Sequence, residues 1–512
     1  MATKKSKKKT IRTIPQKRAR MLVQASTQRV GNFEEVALGF ELDDALNESE
    51  RCLFCPDPAC VAGCPVAIDI VGFIENITLG NYRRSYDILT DANFLPAICG
   101  RVCPQEDQCE GVCPVGETLE PVAIGRLERW VGDLALAKGW SNEPYIEPNG
   151  FKVGIVGSGP AGIACAADMA KAGCDVTVYE ALHAPGGVLR YGIPEFRLPN
   201  RVVDTEIQSL TRLGVKFECN TLVGRLFTVE QMLCDLGFHT VFIGSGAGSP
   251  KFMDIPGESL HGVLSANELL TRCNLMGAGD FPRHDTPLDL GDRIAVIGSG
   301  NTAMDAMRVA LRLGAEKVYC VYRRTRDESP AREEEIRHAE EEGIEFCWLT
   351  APVEILGDEN GHVRAMRCVR MELGKPDESG RCRPVEIEGS EYEFETDTVV
   401  YAIGTNANPV LGQTSKLKLN QWGYLEVDEN LATSMAGVYA GGDIVTGAAT
   451  VILAMGLGRQ AAASMKSYLG IRDTEIVYHP QRQGSEGKLF GIDLEEKNFT
   501  RLRLAQATQP AP

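Results

Sequence analysis

Eight cysteines lie between Cys52 and Cys113, a density of thiols that can bind metal or build a redox centre. They form two quartets, each followed by proline, with the spacings C-x2-C-x4-C-x3-C and C-x3-C-x5-C-x3-C. The members are Cys52, Cys55, Cys60, Cys64, Cys99, Cys103, Cys109 and Cys113. The first quartet is close to the ferredoxin run, whose last cysteine binds a neighbouring cluster. The spacing therefore predicts iron–sulfur clusters.

Two other uses of these cysteines stay open from spacing alone. Zinc also takes four thiolates, although structural zinc usually joins two separated pairs rather than crowded quartets. Disulfides are the weaker alternative, because the other nine of the 17 cysteines are scattered singly from Cys165 to Cys382. Scattered, mostly buried free thiols indicate a reducing compartment, so we expect a cytoplasmic protein.

Downstream of the cysteines, a strand, a G-x-G-x-x-G turn and a small-residue helix follow one another from Lys152. The first glycine permits a tight bend, the second lets the backbone approach a pyrophosphate, and the third lets helix and strand pack closely. Phosphates would lie at the helix N-terminus, and the acid that ends the next strand would bond a ribose hydroxyl. The candidate residues are Gly157, Gly159, Pro160, Ala161, Gly162 and Glu180.

A second strand–turn–helix unit starts at Arg293 and carries a G-x-G-x-x-A turn. Its second strand ends in two arginines instead of an acid. An acid would repel a 2′-phosphate, whereas guanidinium groups bind one bidentately, so the unit is predicted to prefer NADP over NAD. The alternative is that the arginines are ordinary surface charges. The candidate residues are Gly298, Gly300, Asn301, Thr302, Arg323 and Arg324.

Two dinucleotide sites on one chain predict a flavoprotein in which the NADP unit is inserted into the FAD unit. The FAD unit would resume near Thr398. A late strand then leads into Gly442 and Asp443, a signature that in such flavoproteins places the acid on the ribityl chain. The helix after Thr450 would direct its N-terminus at the flavin ring and stabilise the anionic reduced form. Gly187 is a further candidate contact, and a plain glycine turn is the alternative for Gly442.

The three kinds of site fit one chemistry. NADPH delivers two electrons as a hydride, iron–sulfur centres carry one electron each, and a flavin converts between the two. The predicted order is therefore nicotinamide, FAD, cluster and partner. We name no acid–base catalytic residue, because hydride transfer mainly requires that the two rings be positioned.

Composition sets the wider limits. The chain has 512 residues, of which 44% are hydrophobic, and its length suggests about three domains. No apolar run approaches the roughly 18 residues of a membrane span. The net charge of −17 argues against nucleic acid as the main partner. The first twenty residues are strongly basic, which indicates either a solvated tail or a contact with an acidic partner.

These features divide the chain into six predicted segments. In order they are a basic tail at 1–31, a helical iron–sulfur domain at 32–142, the first part of the FAD domain at 143–246, the NADP domain at 247–397, the second part of the FAD domain at 398–472, and a C-terminal extension at 473–512.

The chain resembles the small (beta) subunit of glutamate synthase and its relatives from about Asn32 to Leu469. The resemblance is carried by Tyr191–Pro199, Ala97–Gln105 and Glu268–Met276, and by Tyr322–Arg326 followed by Ser329–Arg332. The first three look most like the large subunit of the NADH-dependent ferredoxin:NADP oxidoreductase and like stand-alone glutamate synthase-like chains. In the fourth, the family more often has methionine where Ser329 stands.

The resemblance implies a specific set of cluster ligands. One 4Fe–4S cluster would be held by Cys52, Cys55, Cys60 and Cys113. The other would be held by Cys64, Cys103, Cys109 and Glu128, which leaves Cys99 as a spare thiol. A count of cysteines alone would choose Cys99 over Glu128. A carboxylate ligand should lower the potential of its cluster relative to a neutral ligand.

The resemblance also implies a fold and a function. The fold is α/β, with a helical domain for two 4Fe–4S clusters followed by two Rossmann-like domains. The function is that of an NADPH-dependent FAD and iron–sulfur oxidoreductase that exchanges electrons with a partner in a hetero-oligomer. The partner would be a glutamate synthase large subunit; the alternative is electron bifurcation with a small flavin or 2Fe–2S subunit and ferredoxin. A non-enzymatic scaffold is disfavoured, because both glycine turns are intact.

Overall fold

The computed structural model describes residues 14–140, 146–376 and 382–471. The first residues of the basic tail and the predicted C-terminal extension at 473–512 lie outside the described residues. Among the residues that are described, no helix is both long and apolar enough to cross a membrane.

The cysteine-bearing segment is helical, as predicted. Its helices are Leu42–Ser49, Ala59–Ala62, Ile70–Thr78, Tyr82–Ala92, Pro96–Val102 and Ile124–Lys138, with a short strand at Ala37–Gly39 and 3-10 turns at Gln105–Asp107 and Pro114–Glu117. The helix Ser26–Arg29 and the strand Leu22–Val23, which pairs with Ala37–Gly39, lie within the range predicted to be the basic tail. The helix Ile70–Thr78 begins at Asp69, whose carboxylate accepts a 2.9 Å hydrogen bond from the Gly72 N–H. Its apolar face is buried and builds the core of this domain.

Two helices of this domain pack at very short range. We call Pro96–Val102 the Cys99 helix and Ile124–Lys138 the Glu128 helix. A Cβ on Gly100 would lie 2.5 Å from the backbone nitrogen of Arg129, and one on Gly132 would lie 2.6 Å from that of Ala97. Real side chains cannot approach so closely, so each helix presents a glycine where the backbone of the other passes. This packing brings Cys99 and Glu128 to the same side.

The first nucleotide unit is built on a five-stranded parallel sheet. Its strand order is Val438–Ala440, Thr240–Ile243, Lys152–Val156, Asp175–Tyr179 and Lys216–Glu218. The strands at 152 and 175 are those predicted from the glycine motif, and the helix Pro160–Lys171 connects them. Other helices of this unit are Val188–Tyr191, Asn200–Arg212, Val229–Cys234, Val410–Thr414, Asp443–Thr446 and Val451–Tyr468.

The second unit has its own five-stranded parallel sheet. The order is Glu345–Trp348, Lys317–Tyr322, Arg293–Ile297, Thr398–Tyr401 and Val263–Ser265. Its helices are Ala266–Asn274, Asn301–Arg312 and Glu333–Glu341, with 3-10 turns at Ala278–Asp280 and Arg326–Glu328. An antiparallel sheet of Thr350–Gly357, Val363–Pro376, Cys382–Glu386 and Tyr392–Glu395 is inserted before the strand at 398.

One predicted boundary is wrong in the structure. The strand Thr398–Tyr401, expected to resume the first unit, pairs with Arg293–Ile297 and Val263–Ser265 inside the second sheet. The sequence of a short buried strand does not show to which sheet the strand belongs, because both parallel sheets are covered by apolar layers on both faces. The chain returns only afterwards: Thr405–Asn406 pairs antiparallel with Ser249–Pro250, so the outgoing and returning connections run side by side. We therefore propose that the second part of the first unit starts at about residue 405.

The C-terminal helix, Val451–Tyr468, packs along the helix Pro160–Lys171. At their contact, a Cβ on Gly458 would lie 2.2 Å from the carbonyl oxygen of Ala161. On the same helix, the sulfur of Met455 lies 3.7 Å from the Cys99 sulfur. The C-terminal helix therefore joins the core of the first nucleotide unit to the cysteine domain.

The close helix contact in the cysteine domain yields a test. Replacing Gly132 by alanine places a methyl group against the Ala97 backbone, and we expect a loss of about 1–3 kcal/mol from overpacking. The measurable result is a lower thermal unfolding midpoint of the purified chain together with lower iron content. The matched control is Gly116→Ala, because a Cβ there meets its nearest neighbour at 3.6 Å, an ordinary contact. Equal effects of the two substitutions would contradict the packing argument.

Candidate functional site

A cavity of about 860 Å³ lies between the two nucleotide units. Both glycine turns face it, and so do the helix starts that follow them. Of the sequence-predicted residues, it is lined by Gly157, Gly159, Pro160, Ala161, Glu180, Gly187, Gly298, Gly300, Asn301, Thr302, Arg323, Arg324, Gly442, Asp443 and Thr450. A volume of this size lies within the range of about 300–1,000 Å³ that is usual for ligand pockets, and its lining comes from both glycine turns.

The three glycines of the first turn differ in their surroundings. Gly157 has φ +97°, and a Cβ there would meet the Gly244 carbonyl oxygen at 2.5 Å. Gly162 does not line the cavity; its Cβ would lie 1.9 Å from the Gly157 carbonyl oxygen, so it serves the packing of helix against turn. A Cβ on Gly159 would meet no described atom within 4 Å, apart from its chain neighbours, and would project into the space that a pyrophosphate needs.

Glu180 already has partners on both carboxylate oxygens. One oxygen accepts from the Ser158 N–H at 3.0 Å and from the Ser158 hydroxyl, and the other accepts from the Leu182 N–H at 2.9 Å. A carboxylate has about four lone-pair sites, so acceptor capacity remains for a ribose hydroxyl. Ser158 is a residue that sequence analysis missed: it fixes the acid and also accepts the Gly186 N–H at 2.9 Å.

The turn of the second unit is held by a loop that follows its second strand. Gly298 has φ +124°, and its Cβ would lie 2.4 Å from the Ala402 carbonyl oxygen. The Ser329 hydroxyl lies 2.7 Å from the Ser299 hydroxyl and also donates to the Ser299 carbonyl at 2.7 Å. The serine that replaces the more usual methionine is thus bonded directly to the nucleotide turn.

The two arginines after the second strand differ in their surroundings. Arg323 is exposed at the cavity edge. Arg324 is buried, and its Nε donates to the Cys382 carbonyl at 2.8 Å. A 2′-phosphate would need a guanidinium that can turn towards it, and the exposed Arg323 meets this condition better than the buried Arg324.

The C-terminal helix faces the cavity with its N-terminus. Thr450 caps it, the hydroxyl accepting from the Leu453 N–H at 3.3 Å, and Thr450 and Val451 both line the cavity. The positive end of an 18-residue helix therefore points at the site. Asp443 also lines it, and burial raises the pKa of its carboxyl above the ordinary value.

A buried ion pair between the two units was not predicted from sequence. Arg197 Nη1 lies 2.6 Å from Asp305 Oδ2, and both residues line the cavity. Burial raises the pKa of Asp305 to about 6, against the opposing effect of the arginine. The other carboxylate oxygen, Oδ1, has no hydrogen-bond partner among the described residues. The signal in sequence was the charged arginine within Tyr191–Pro199, but its partner is apparent only from the fold.

The predicted ligand thiols fall into two groups. In the outer group, Cys60 has Cys52 and Cys113 as its charged neighbours; burial first, and then these two cysteines, raise its pKa to about 11. Cys52 is buried, whereas Cys55, Cys60 and Cys113 are half-buried. Cys52 and Cys60 of the first quartet thus lie near Cys113, the last cysteine of the second quartet, and the resemblance adds the half-buried Cys55 to them.

The inner group surrounds a small enclosed cavity. Its lining includes Cys64, Cys99, Cys103, Cys109 and Glu128, together with Gln105, Gln108 and Ile452. Burial raises the pKa of Cys109, and the neighbouring acids Glu110 and Glu128 add to the rise. Burial also raises the pKa of Glu128 to about 8, partly opposed by a hydrogen bond from Asn93. The described residues hold no group of three His, Cys, Asp or Glu side chains arranged for a single metal ion.

Asn93 distinguishes the two candidates for the last inner ligand. Its Oδ1 accepts from the Leu95 N–H at 2.9 Å, which fixes the orientation of the amide. Its Nδ2 therefore donates to Glu128 Oε1, at 2.6 Å, and the Cys99 sulfur lies 3.6 Å from Oδ1. The amide thus offers a donor to a carboxylate and an acceptor to a thiol. The amide donor stabilises the charged carboxylate of Glu128 and partly opposes the rise in pKa that burial causes, while Cys99 can donate its S–H to the amide oxygen.

The inner cavity adjoins the large one. Val102 and Pro104 line the large cavity, while Cys103 between them lines the inner cavity. Likewise Val451 faces the large cavity and the next residue, Ile452, faces the inner one. Only a few residues therefore separate the large cavity from the inner thiols.

The sequence matches two known family profiles. Residues 151–464 match the pyridine nucleotide-disulphide oxidoreductase family, and residues 29–140 match domain II of dihydropyrimidine dehydrogenase, a 4Fe–4S cluster domain. These matches confirm the predicted fold class and the cofactors FAD, NADP and 4Fe–4S. Among solved structures, FprA of Mycobacterium tuberculosis in complex with NADPH shares the nucleotide-binding fold, with a TM-score of 0.54 and 21% identity over 63% of this chain and 85% of that one.

Three curated relatives cover most of the chain. The glutamate synthase [NADPH] small chain of Azospirillum brasilense is 36% identical over 86% of this chain and 93% of its own length. That of Escherichia coli strain K12 is 34% identical over 86% and 94%. The beta subunit of the NADP(+)-dependent formate dehydrogenase of Moorella thermoacetica is 38% identical over 80% of this chain, but only 60% of its own length is matched.

The environments of the two arginines predict a specific effect of Arg323. Arg323→Ala should weaken NADPH binding about 10- to 100-fold and leave NADH binding nearly unchanged, because a hydrogen bond to a charged group contributes about 1.5–3 kcal/mol. Dissociation constants from fluorescence titration of each nucleotide would check this. Arg225→Ala, a substitution outside the large cavity, is the charge-matched control. Equal losses for NADPH and NADH would contradict the 2′-phosphate assignment.

The arrangement around Asn93 predicts different outcomes for the two inner candidates. Glu128→Ala should remove or alter the EPR signal of one cluster, because a ligand is lost. Cys99→Ala should leave both signals in place, since Cys99 acts there as a neutral thiol. Glu128→Gln should keep the cluster with a higher potential, because a neutral ligand replaces a carboxylate. The reverse result, with Cys99→Ala losing a cluster and Glu128→Ala keeping both, would make Cys99 the ligand.

Proposed function

The chain belongs to the glutamate synthase small-chain family of NADPH-dependent FAD and iron–sulfur oxidoreductases, and we propose that it passes electrons from NADPH through two 4Fe–4S clusters to a partner subunit. The observation that carries the proposal is the adjacency of the two cavities: Cys103 and Ile452 line the inner cavity, while their chain neighbours Val102, Pro104 and Val451 line the large one. Electron transfer needs the nucleotide site and the first cluster close together.

The residues of the large cavity would position two nucleotides. The first glycine turn and Glu180 would hold FAD, and the second turn with Arg323 would hold NADP(H). The N-terminus of the C-terminal helix, capped by Thr450, would place its positive end where the reduced flavin carries negative charge. Bound FAD supplies the conversion of a hydride into single electrons.

The two thiol groups would hold the clusters. The inner cluster is assigned to Cys64, Cys103, Cys109 and Glu128, and the outer cluster to Cys52, Cys55, Cys60 and Cys113. Cys64 follows Cys60 closely in sequence yet lies in the inner group, so one short segment would hold both clusters. Support comes from the charged neighbours of each thiol and from the sulfur-rich donor set, which suits iron–sulfur chemistry.

The outer group is the place where electrons would leave the chain. Three of its cysteines are half-buried, and the adjoining Leu53 and Val112 are 49% and 47% exposed. Exposed apolar residues beside a redox centre favour contact with another protein. The relatives named as a glutamate synthase small chain and a formate dehydrogenase beta subunit are themselves parts of larger enzymes. We therefore propose a hetero-oligomer, whose partner is a glutamate synthase large subunit.

A second candidate partner rests on sequence. The stretches Tyr191–Pro199, Ala97–Gln105 and Glu268–Met276 resemble the bifurcating NADH-dependent ferredoxin:NADP oxidoreductase. With a small flavin subunit and ferredoxin, the same internal path would serve bifurcation. Affinity purification of the tagged chain from its own organism separates the two, since each proposal names a different co-purifying subunit.

The electron path itself can be tested on the isolated chain. Anaerobically purified protein should contain one FAD and about eight iron atoms, four for each cluster. NADPH should bleach both the flavin bands and the broad iron–sulfur absorbance, and Gly159→Val, which fills the pyrophosphate space, should abolish FAD content. A colourless zinc protein, or a flavin bleached while the clusters stay oxidised and redox-isolated, would overturn the proposal.

A further inference from the structure

The loop Ser329–Arg332 is bonded on one side to the nucleotide turn of the second unit. Ser329 contacts Ser299 through its hydroxyl, as described above. At the end of the loop, the backbone N–H of Arg332 donates to Asn301 Oδ1 at 3.1 Å. The backbone of Arg332 is therefore fixed to the start of the helix that follows the second glycine turn.

The side chain of Arg332 contacts the loop that carries Cys103, one of the ligands proposed for the inner cluster. Arg332 Nη2 donates to Gln105 Oε1 at 2.8 Å, and Nη1 donates to the Arg101 carbonyl at 3.2 Å. Nε lies 3.0 Å from Glu106 Oε1. These contacts bracket Cys103, which lies between Arg101 and Gln105 in sequence.

Gln105 connects the guanidinium to the inner cavity. It is buried and lines that cavity beside Cys103 and Glu128, and its Nε2 donates to the Cys99 carbonyl at 3.3 Å. The Arg332 side chain is only 11% exposed, so water screens its charge weakly.

We propose that Arg332 is a positioning residue for electron transfer, whose guanidinium holds the Cys103 loop and raises the reduction potential of the inner cluster. The inference rests on the proposed function, which assigns Cys64, Cys103, Cys109 and Glu128 to that cluster. No function so far described for the chain requires an arginine at this position.

The physical reason is the charge change on reduction. On reduction, the inner cluster would accept one electron from the reduced flavin, and no bond to Arg332 would form or break. A fixed positive charge in a poorly screened site stabilises the reduced form over the oxidised form. Such a charge offsets the carboxylate ligand Glu128, which acts in the opposite direction. Arg332 would thereby keep the reduction potential of the inner cluster high enough for the reduced flavin to reduce it.

Other charges near Arg332 reduce its effect without cancelling it. Glu106 is its main partner, and the Glu106 side chain is 37% exposed and therefore better screened. Glu334 lies 3.9 Å from Nη2, but it also lies 3.4 Å from Arg126. Removal of Arg332 would leave both acids near the Cys103 loop. The electrostatic potential at the inner cluster would therefore become more negative by the full effect of the lost charge.

The experiment is a potentiometric titration of the anaerobically purified full chain, followed by EPR of each cluster. Arg332→Gln should lower the equilibrium constant for one-electron reduction of the inner cluster about tenfold, which equals about 59 mV for a one-electron couple. Arg332→Lys keeps the charge and should retain most of the wild-type potential. The outer cluster should titrate unchanged in every variant.

The matched control is Arg337→Gln. Arg337 lies on the helix that Arg332 precedes, its side chain is 53% exposed, and its loss changes the net charge equally. An inner-cluster potential that is unchanged in Arg332→Gln, or shifted equally in Arg337→Gln, would overturn the proposal. A wild-type protein without two cluster signals would instead overturn the proposed function.

A second variant keeps the proposal testable if Arg332→Gln does not assemble its inner cluster. Glu106→Gln removes the main counter-charge and leaves the guanidinium in place, so it should raise the inner-cluster potential. An unchanged or lower potential in Glu106→Gln would count against Arg332 as the source of the charge.

Discussion

The rest of the structure depends on one close approach between two helices. Gly458 of the C-terminal helix meets the Ala161 carbonyl at the start of the first nucleotide helix, where any side chain would overlap the oxygen. Because the helices pack at this range, the N-terminus of the C-terminal helix reaches the large cavity while its next residues reach the inner thiols. A single rigid element thus fixes the spacing between the nucleotide site and the nearer cluster site.

A second constraint fixes the N-terminal segment to the nucleotide-binding domains. Arg29 and Arg308 both bond Glu342, with Nε of Arg29 at 2.7 Å and Nη2 of Arg308 at 2.8 Å, and Glu342 is buried. Arg308 also stacks over the Phe196 ring, at 4.6 Å from its centroid. Buried ion pairs cost desolvation energy and contribute little net stability. Their value here is specific placement: only one arrangement of the segment satisfies all of these charges.

The sequence predicted local elements well and one long-range pairing wrongly. The strands Lys152–Val156 and Lys317–Tyr322 begin where the glycine motifs place them, because a turn of defined chemistry fixes both ends of such a strand. Thr398–Tyr401 is predicted to belong to the first unit but lies in the second sheet, since a short buried strand carries no information about which strands it pairs with. The ion pair of Arg197 with Asp305 escaped prediction for the same reason, as its members are 108 residues apart.

The sequence by itself determined which cofactors the chain uses. Glycine spacing limits where a backbone can approach a pyrophosphate, and cysteine spacing limits how a loop can surround a cluster; both are local constraints. Cysteine spacing alone left open which thiols come together; the family resemblance implied a division, and the tertiary structure places Cys113 near Cys60 and Cys64 near Cys103. Only the tertiary structure decided that Asn93 presents a donor to Glu128 and an acceptor to Cys99. Spacing along a chain measures contour distance, whereas these groupings depend on how the Cys99 helix, the Glu128 helix and the C-terminal helix pack against one another.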